Sequence, residues 1–584
     1  MICQEIPSEL IGGASVPPVL IVGAGPAGIV QALELRRHGV DVVMLAGGAD
    51  GFDPKFQSLA DAAIVDPSRH APMRIAVRRA LGGTSLLWGG RCVPFDDIDF
   101  ADRPHVPGGG WPLSHDEIRP WYAVGMRYLN AGVPDFSAPL PIAPAMNDCR
   151  IDELERWSER RNLRRQHAAA LEHDAGLKIL LGAVATGIEV DPAIGRAEGI
   201  AVCLPSGRRA TLRARFIVLA CGGLETTRLM LASRLDQPRL FGGNEGMLGR
   251  GYMAHFEGRI ADVVFGAPLP DDAFDFFIDD SGRYARRRIT IGAAAQQRLG
   301  LLNMCAWPDN PTLSDPTHRS AILSLAYLNL AAPVLGQFLE PEAIRRKHLE
   351  HGVNALARHL GNIVGGLPEA IVEAARFLYR RYGTTPRLPG FFIRNKARRY
   401  ALFYHAEQAP NATSSVTLDE ARDALGVPRL RIDLRYSARD AASVIASHEI
   451  VDRNLRDAGL GRLEYHAPAE ERAGRVWDQM ADGYHQIGTI RMSNDPARGV
   501  VDADCRVHGS RNLFVASSAV FPTSGQANPT LLITALSARL AAHIARLVDA
   551  APDNTQTSKR TAADATLSPS FTGETHAAAV TMVE

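Results

Sequence analysis

No pair of cysteines stands at CxxC spacing. Cys3, Cys92, Cys149, Cys203, Cys221, Cys305 and Cys505 are scattered and odd in number, which fits neither a disulfide framework nor a zinc or iron–sulfur site and points to a reducing compartment. No metal site is expected. Charge of one sign is also lacking, since 64 lysines and arginines balance 64 aspartates and glutamates. Without a global field, nucleic acid is not an expected partner and a small molecule is. The most apolar internal run, Ile322 to Leu339, is broken by Asn329 and Pro333 and falls short of the ~20 residues of a membrane span, so a membrane partner is not expected either. The opening MICQEIPSELIGGASVPP has no basic segment leading into an apolar one and no twin arginine; the expected location is the cytoplasm. No GxSxG elbow and no thiol-plus-base signature occurs, which leaves serine and cysteine nucleophile chemistry without support. From Ala551 the chain is small, polar and aperiodic, so residues 551–584 read as a disordered tail.

What is present is a large apolar content, 46% of 584 residues, enough for a buried core and for two or more domains. Near the amino terminus the order is strand, glycine turn, helix, strand. Val19 to Val22 is apolar, Gly23-Ala24-Gly25-Pro26-Ala27-Gly28 follows, a helical pattern runs from Pro26 to His38, and Val40 to Leu45 is apolar again. Gly23 permits the tight turn, Gly25 lets a pyrophosphate approach the backbone, Gly28 lets helix and strand pack closely, and the helix start offers N–H donors. The competing reading is a glycine turn that binds nothing, because Ala46 stands where an acidic residue for the ribose hydroxyls belongs, ~20 residues after the glycines. Asp50 or Asp53 are its possible substitutes. A second cluster combines Gly82, Gly83, Gly89 and Gly90 with Thr84, Ser85 and Trp88. It suits a loop lying flat against a ligand, with two hydroxyls for hydrogen bonding and an aromatic wall; an ordinary turn over the core would look the same.

Toward the carboxy terminus, Tyr484-His485-Gln-Ile-Gly488-Thr489 precedes Asn528-Pro529-Thr530 and an alanine- and leucine-rich helical stretch from Leu531 to Val548. Pro529 is placed as the first helical residue and Asn528 as its N-cap. A neutral imidazole takes a proton near neutral pH, and an alcohol gives up hydride readily only once its hydroxyl proton is removed, so His485 is the candidate base. The chain has 18 histidines, most of which serve packing or surface roles.

Together GAGPAG, GGTSLLWGG and YHQIGTIRM…NLFVASSAVFPTSGQANPT resemble the glucose-methanol-choline (GMC) oxidoreductase family, with echoes at Val218 to Arg228, Gly249 to His255 and Glu407 to Asn411. The resemblance implies an α/β (α+β) fold. Its Rossmann-like FAD-binding domain would be assembled from residues 17–115, 178–240 and 476–550, joined by a connecting segment, 116–177. A substrate domain with an antiparallel sheet would come from 241–320 and 395–475, with a helical insertion or lid at 321–394. The resemblance implies FAD as cofactor and maps the catalytic pair onto His485 and Asn528. It adds Val184, Ala220, Gly222, Ser518 and Ala519 to the cofactor residues named above, together with Pro529 and Thr530, and sets Gln408 beside His485 and Asn528 as substrate-binding. Within the family the likeness to the pyranose-oxidase-like branch implies a secondary hydroxyl of a sugar, glycoside or cyclitol. Oxygen or a quinone-like molecule would accept the electrons. In a flavoenzyme the helix start at Asn528 would stabilise charge arriving at the reduced ring. Leu87 stands where covalently flavinylated relatives carry histidine, so the FAD is expected to be non-covalent; Ser415 replaces a frequent arginine. The same architecture also serves a non-sugar alcohol oxidase, or a flavin-bound lyase or decarboxylase without net oxidation. The basic amphipathic helices read at 342–362 and 368–382 are expected to pack their apolar stripes on the domain beneath.

Overall fold

The computed structural model describes residues 1–10, 16–140, 146–332, 356–394 and 397–550. The disordered-tail reading of 551–584 and most of the helix read at 342–362 lie outside these residues.

Three continuously apolar runs, Val42–Ala46, Val19–Val22 and Phe216–Leu219, form the middle of a parallel sheet, as strands covered on both faces must. Its six strands lie in the order Ile2–Cys3, Leu177–Leu181, Val42–Ala46, Val19–Val22, Phe216–Leu219, Leu513–Val515, all parallel. Val22 sits beside Leu45 on one side and Leu219 on the other, so the carboxyl ends of three strands finish level. Ligands of open α/β sheets bind outside that edge. Gly23 turns there at φ +112°, and a Cβ on it would stand 2.4 Å from the carbonyl oxygen of Ala220, which ties the glycine to the closeness of the two strand ends. The helices Pro26–Arg37, His115–Leu129 and Thr530–Ala550 pack together beside this sheet. Among the described residues Thr530–Ala550 alone is long and apolar enough to cross a membrane, and it is mostly buried within the protein.

A second, antiparallel sheet takes strands in the order Gly461–Tyr465, His255–Phe265, Arg399–Glu407, Met304–Asp309, Tyr284–Ile291, Cys149–Trp157, Arg91–Cys92. Cys149–Trp157 comes from the stretch read as a connecting segment, and Arg91–Cys92 from the nucleotide-binding stretch. Ile2–Cys3, before the predicted start at 17, extends the parallel sheet. Neither short strand carries a hydrophobic period that would mark it in the sequence; each is recruited by an edge that needs a partner.

The helix at the carboxy-terminal end begins at Thr530, with the Pro529 carbonyl accepting from Ile533 N–H at 2.8 Å. Asn528 is therefore not its capping side chain. Both ends of that amide are bonded to other side chains, described below. Within 321–394 the described helices are Ala321–Ala331, Leu356–Gly365 and Leu367–Leu378, followed by a π-turn over Tyr379–Gly383. They bury Ala321, Ile322 and Ala370 against one another, but leave a row of large apolar side chains exposed, contrary to the expected inward stripe.

Candidate active site

A cavity of about 540 Å³ opens at the carboxyl edge of the parallel sheet and continues to the face of the antiparallel one. It is lined by Gly23, Gly25, Pro26 and Ala27, by Gly83, Thr84, Ser85, Trp88, Gly89 and Gly90, and by Val184, Ala220, Gly222, Ser518, Asn528, Pro529 and Thr530, with His485 at the far end. Sequence positions up to five hundred residues apart thus meet on one surface. Gly28, Gly82 and Ala519 stand one layer behind the lining: Gly82 N–H donates to Ala24 O and its carbonyl accepts from Ser85, while the Ala519 carbonyl accepts from Ile490 N–H.

The first glycine loop and the second lie against each other. A Cβ on Gly83, whose φ is +55°, would stand 2.7 Å from Gly25 Cα. The helix Pro26–Arg37 has no side-chain cap, and in Gly223–Ser233 the N-cap residue supplies none while Gln486 Oε1 accepts from Leu224 N–H at 3.4 Å, so both helices keep first-turn N–H groups for a ligand. Three helix starts converge on the cavity, two of them beside the glycines. That donor set and the flat glycine cradle fit the pyrophosphate and ring system of FAD. Gly83→Ala is expected to weaken FAD binding by about tenfold or more, because the substitution adds backbone strain of ~1–3 kcal/mol and pushes on the facing loop. Flavin retained per protein after desalting measures it; full retention would separate this loop from the cofactor.

The predicted substitutes for the ribose acid fall elsewhere. Asp50 pairs with Arg164 at 2.7 Å, and Asp53 accepts from Lys55 N–H at 2.8 Å as a helix cap; both lie outside the cavity lining. At the strand end the polar groups are Arg79 and Glu225, paired at 2.5 Å, with Arg79 Nε also donating to Gly47 O at 3.3 Å. Both line the cavity. A carboxylate is present at this end, delivered by the helix after Gly222 rather than by the loop after Ala46.

At the other end His485 follows a turn that holds Gly483 at φ +52° and Tyr484 at φ +64°. Paired bonds between Met253 and Ile487, at 2.9 and 3.0 Å, bring this turn beside the strand that starts at His255. Asn528 Nδ2 donates to His485 Nε2 at 3.1 Å, and Asn528 Oδ1 accepts from Arg91 at 2.7 Å. Arg91 fixes which way the amide faces. Its Nε is ion-paired with buried Glu155, and its guanidinium lies 4.5 Å over the Trp307 ring. Both Arg91 and Trp307 line the cavity.

Behind His485 the hydrogens can be placed from the acceptors alone. His255 Nε2 lies 3.0 Å from the Ser524 carbonyl, which only accepts, so Nε2 carries the proton. His255 Nδ1 is then a lone pair, and His485 Nδ1, 2.8 Å away, must be the donor. A neutral His485 protonated at Nδ1 presents its Nε2 lone pair to the cavity. Burial pushes His255 down to about 4. Burial, with His255 and Arg91 adding, holds His485 well below the ordinary imidazole range. His405 is likewise held well below that range, by burial first and then by His255, Arg91 and His485.

His255, His405 and His485 bring ligand-type atoms within 4.8 Å of one another. The rings of His255 and His405, however, stack at 4.5 Å and 22°. Stacked imidazoles cannot both hold one ion in their ring planes, and the nearest nitrogens of His255 and His485 already share a proton.

Gln408, expected to touch substrate, does not line the cavity. Its Oε1 accepts from Ala254 N–H and its Nε2 donates to Arg435 O, each at 2.8 Å, so it braces two backbone segments. Arg91, His255 and His405 are not singled out by sequence reasoning. Arg91 directly follows Gly90 of the ligand-facing loop, which is a usable signal, and His255 closes the family echo that begins at Gly249, without a role assigned to it there; His405 has none, because only sheet pairing brings it to the site.

Two family models match the chain: FAD binding domain over residues 17–50 and GMC oxidoreductase over residues 410–537. Paromamine 6'-oxidase of Streptomyces fradiae is 24% identical, over 90% of this chain and 91% of its own length. C-glycoside 3-oxidase of Microbacterium trichothecenolyticum is 23% identical, over 90% of this chain and 96% of its own. Among solved structures, pyridoxine 4-oxidase from Mesorbium loti superposes with a TM-score of 0.50 at 17% identity, covering 92% of this chain and all of that one. With the glycine cradle and the mixed parallel and antiparallel sheets in agreement with these matches, the chain carries an FAD-binding segment and a GMC oxidoreductase domain and is an FAD-dependent oxidoreductase acting on CH–OH groups.

Proposed function

We propose that the protein oxidises a ring hydroxyl of a sugar, glycoside or cyclitol-like substrate to a carbonyl, with His485 as the base. The observation that carries this reading is the Nε2 lone pair of a neutral, half-buried His485 set against the Asn528 amide inside the cavity. FAD bound there supplies the hydride acceptor. A hydroxyl entering between the two side chains donates to His485 Nε2 and accepts from Asn528 Nδ2, which orients the oxygen and leaves its carbon free on the other side. Arg91, bonded to the same amide, adds positive charge near an oxygen that becomes negative as its proton leaves. The tryptophans Trp88, Trp157 and Trp307 wall the cavity, and such faces stack on sugar rings while excluding water. The relatives named for paromamine and C-glycosides support the substrate class. With Leu87 lining the cavity in place of a nucleophile, the FAD is held non-covalently, and oxygen or a quinone-like acceptor reoxidises it. The seven free cysteines accord with a reducing, cytoplasmic setting.

Anaerobic mixing with a panel of sugars, glycosides, cyclitols and simple alcohols tests the reading: bleaching of the oxidised flavin by ring hydroxyls supports it, and bleaching by simple alcohols alone refutes the substrate class. The pH dependence follows from the His485 environment. A base must be unprotonated, and a lowered pKa keeps it so as pH falls through the ordinary imidazole range, so the acid limb of kcat/KM is expected well below about pH 6.5. A limb at or above that pH would place the titrating base elsewhere.

A further inference from the structure

His485 and His405 both line the cavity, and the proposed reaction uses only the first. His405 belongs to the strand Arg399–Glu407, where it pairs with Glu257 on one side and Cys305 on the other, so the sheet fixes its backbone from both edges. Its Nδ1 lies 2.6 Å from the Gln526 carbonyl, which only accepts, so Nδ1 carries the proton and Nε2 is the lone pair. Burial, with His255, Arg91 and His485 adding, keeps the ring neutral. It stacks on His255 and stands steeply to the His485 ring, at 78° with 5.7 Å between centroids. The carbonyl bond and the stack together hold its orientation.

His405 Nε2 has no hydrogen-bond partner among the described residues. The donors around it point elsewhere: His255 Nε2–H to Ser524 O, His485 Nδ1–H to His255, and Arg91 to Glu155, Asn528 and Cys305. A buried acceptor without a donor costs free energy comparable to a lost hydrogen bond, and on a cavity wall a ligand can supply that donor. The site thus presents two neutral acceptors, His485 Nε2 and His405 Nε2, on rings whose centroids are 5.7 Å apart. Neighbouring ring hydroxyls stand about one hydrogen-bond length from each other, close enough for one to reach each imidazole, whereas hydroxyls on opposite carbons of a ring point apart. We propose that His405 accepts the hydroxyl on the ring carbon next to the oxidised one, and that the enzyme thereby selects vicinal diols. The inference rests on the ring-hydroxyl reading above and narrows it. It also moves the substrate contact that the resemblance set on Gln408 to a side chain three residues earlier, one that does line the cavity.

Anaerobic reduction of the holoenzyme flavin by cyclohexanol, cis- and trans-cyclohexane-1,2-diol and cyclohexane-1,4-diol tests this, read as reduction rate divided by dissociation constant. At least one 1,2-diol is expected to exceed cyclohexanol by about tenfold or more, since a substrate without the second hydroxyl leaves His405 Nε2 buried with no donor. The 1,4-diol should stay within a few-fold of cyclohexanol. In His405→Leu the ratio of 1,2-diol to cyclohexanol is expected to fall to a few-fold at most, and His405→Gln, whose amide oxygen is an acceptor, should restore part of it. The ratio is taken within each variant, so a general loss of activity or of cofactor cancels. Three results would overturn the proposal: cyclohexanol matching the 1,2-diols in the wild type, the 1,4-diol matching them, or a preference that persists undiminished in His405→Leu. The first two need no variant, and all three leave the ring-hydroxyl reading standing, whereas a flavin bleached by none of these ring alcohols would remove both.

Discussion

Replacing His485 with alanine is expected to slow anaerobic flavin bleaching by about 10²–10⁴-fold, equivalent to roughly 3–5 kcal/mol of barrier, while the protein still purifies yellow. The distinction follows from the geometry. His485 lies at the far end of a cavity whose glycine loops and helix starts hold the cofactor independently of it. Without the imidazole, the hydroxyl keeps its proton and Asn528 loses the acceptor for its Nδ2–H, so the alcohol enters a site that still orients but no longer ionises it. Stopped-flow absorbance at the oxidised-flavin band measures the effect. A bleaching rate within a few-fold of wild type would remove His485 from the catalytic role, and a colourless variant would show that it serves the cofactor site instead.

The second large effect is expected at His255, which never meets the substrate. His255 accepts the proton that His485 carries on Nδ1, and it can do so only because the Ser524 carbonyl holds its own proton on Nε2. Leucine at position 255 fills the space but leaves His485 Nδ1–H buried with no acceptor, a loss worth ~1–3 kcal/mol. His485 escapes that loss by moving its proton to Nε2, which removes the lone pair the reaction needs. His255→Leu is therefore expected to lower kcat by about 5–150-fold, the equivalent of the same 1–3 kcal/mol, with KM little changed. His255→Asn, whose side chain can place an acceptor near the Nδ1 position, should recover most of the rate. Equal damage from the two variants, at equal melting temperature, would mean that the ring acts through packing and not through the tautomer of its neighbour.

Much of the nucleotide end is legible in the order of residues. The strand Val19–Val22 and the helix from Pro26 are where the apolar run and the glycine turn place them, because local rules suffice for them: a strand buried on both faces must be continuously apolar, and a tight strand-to-helix turn needs glycine. Gly23, Gly25, Gly83, Gly89 and Gly90 reach one cavity, with Gly28 and Gly82 behind it. The errors fall where a side chain's partner is distant. Asn528 reads as a helix cap because capping is a local act, yet Arg91 and His485 engage both ends of its amide. Gln408 reads as a substrate contact, yet it lies outside the cavity lining with each end of its amide bonded to a backbone group. Chain order puts the ribose acid in the loop after Ala46, whereas Glu225 arrives at that end of the cavity from another βα turn. The amphipathic pattern of the insertion holds as a pattern, but periodicity states only that a helix has an apolar face, not which way the face looks.

By itself, then, the amino-acid sequence determined that the chain builds a dinucleotide-binding parallel sheet, since short-range sterics and glycine chemistry encode it, while the pairing of the His485 imidazole with Asn528 is what the resemblance to the GMC family implies. Tertiary structure alone decided how that imidazole is charged and which nitrogen it offers. Those properties depend on burial and on His255, Arg91 and the Ser524 carbonyl, which reach His485 only when the antiparallel sheet aligns strands that are far apart in the chain.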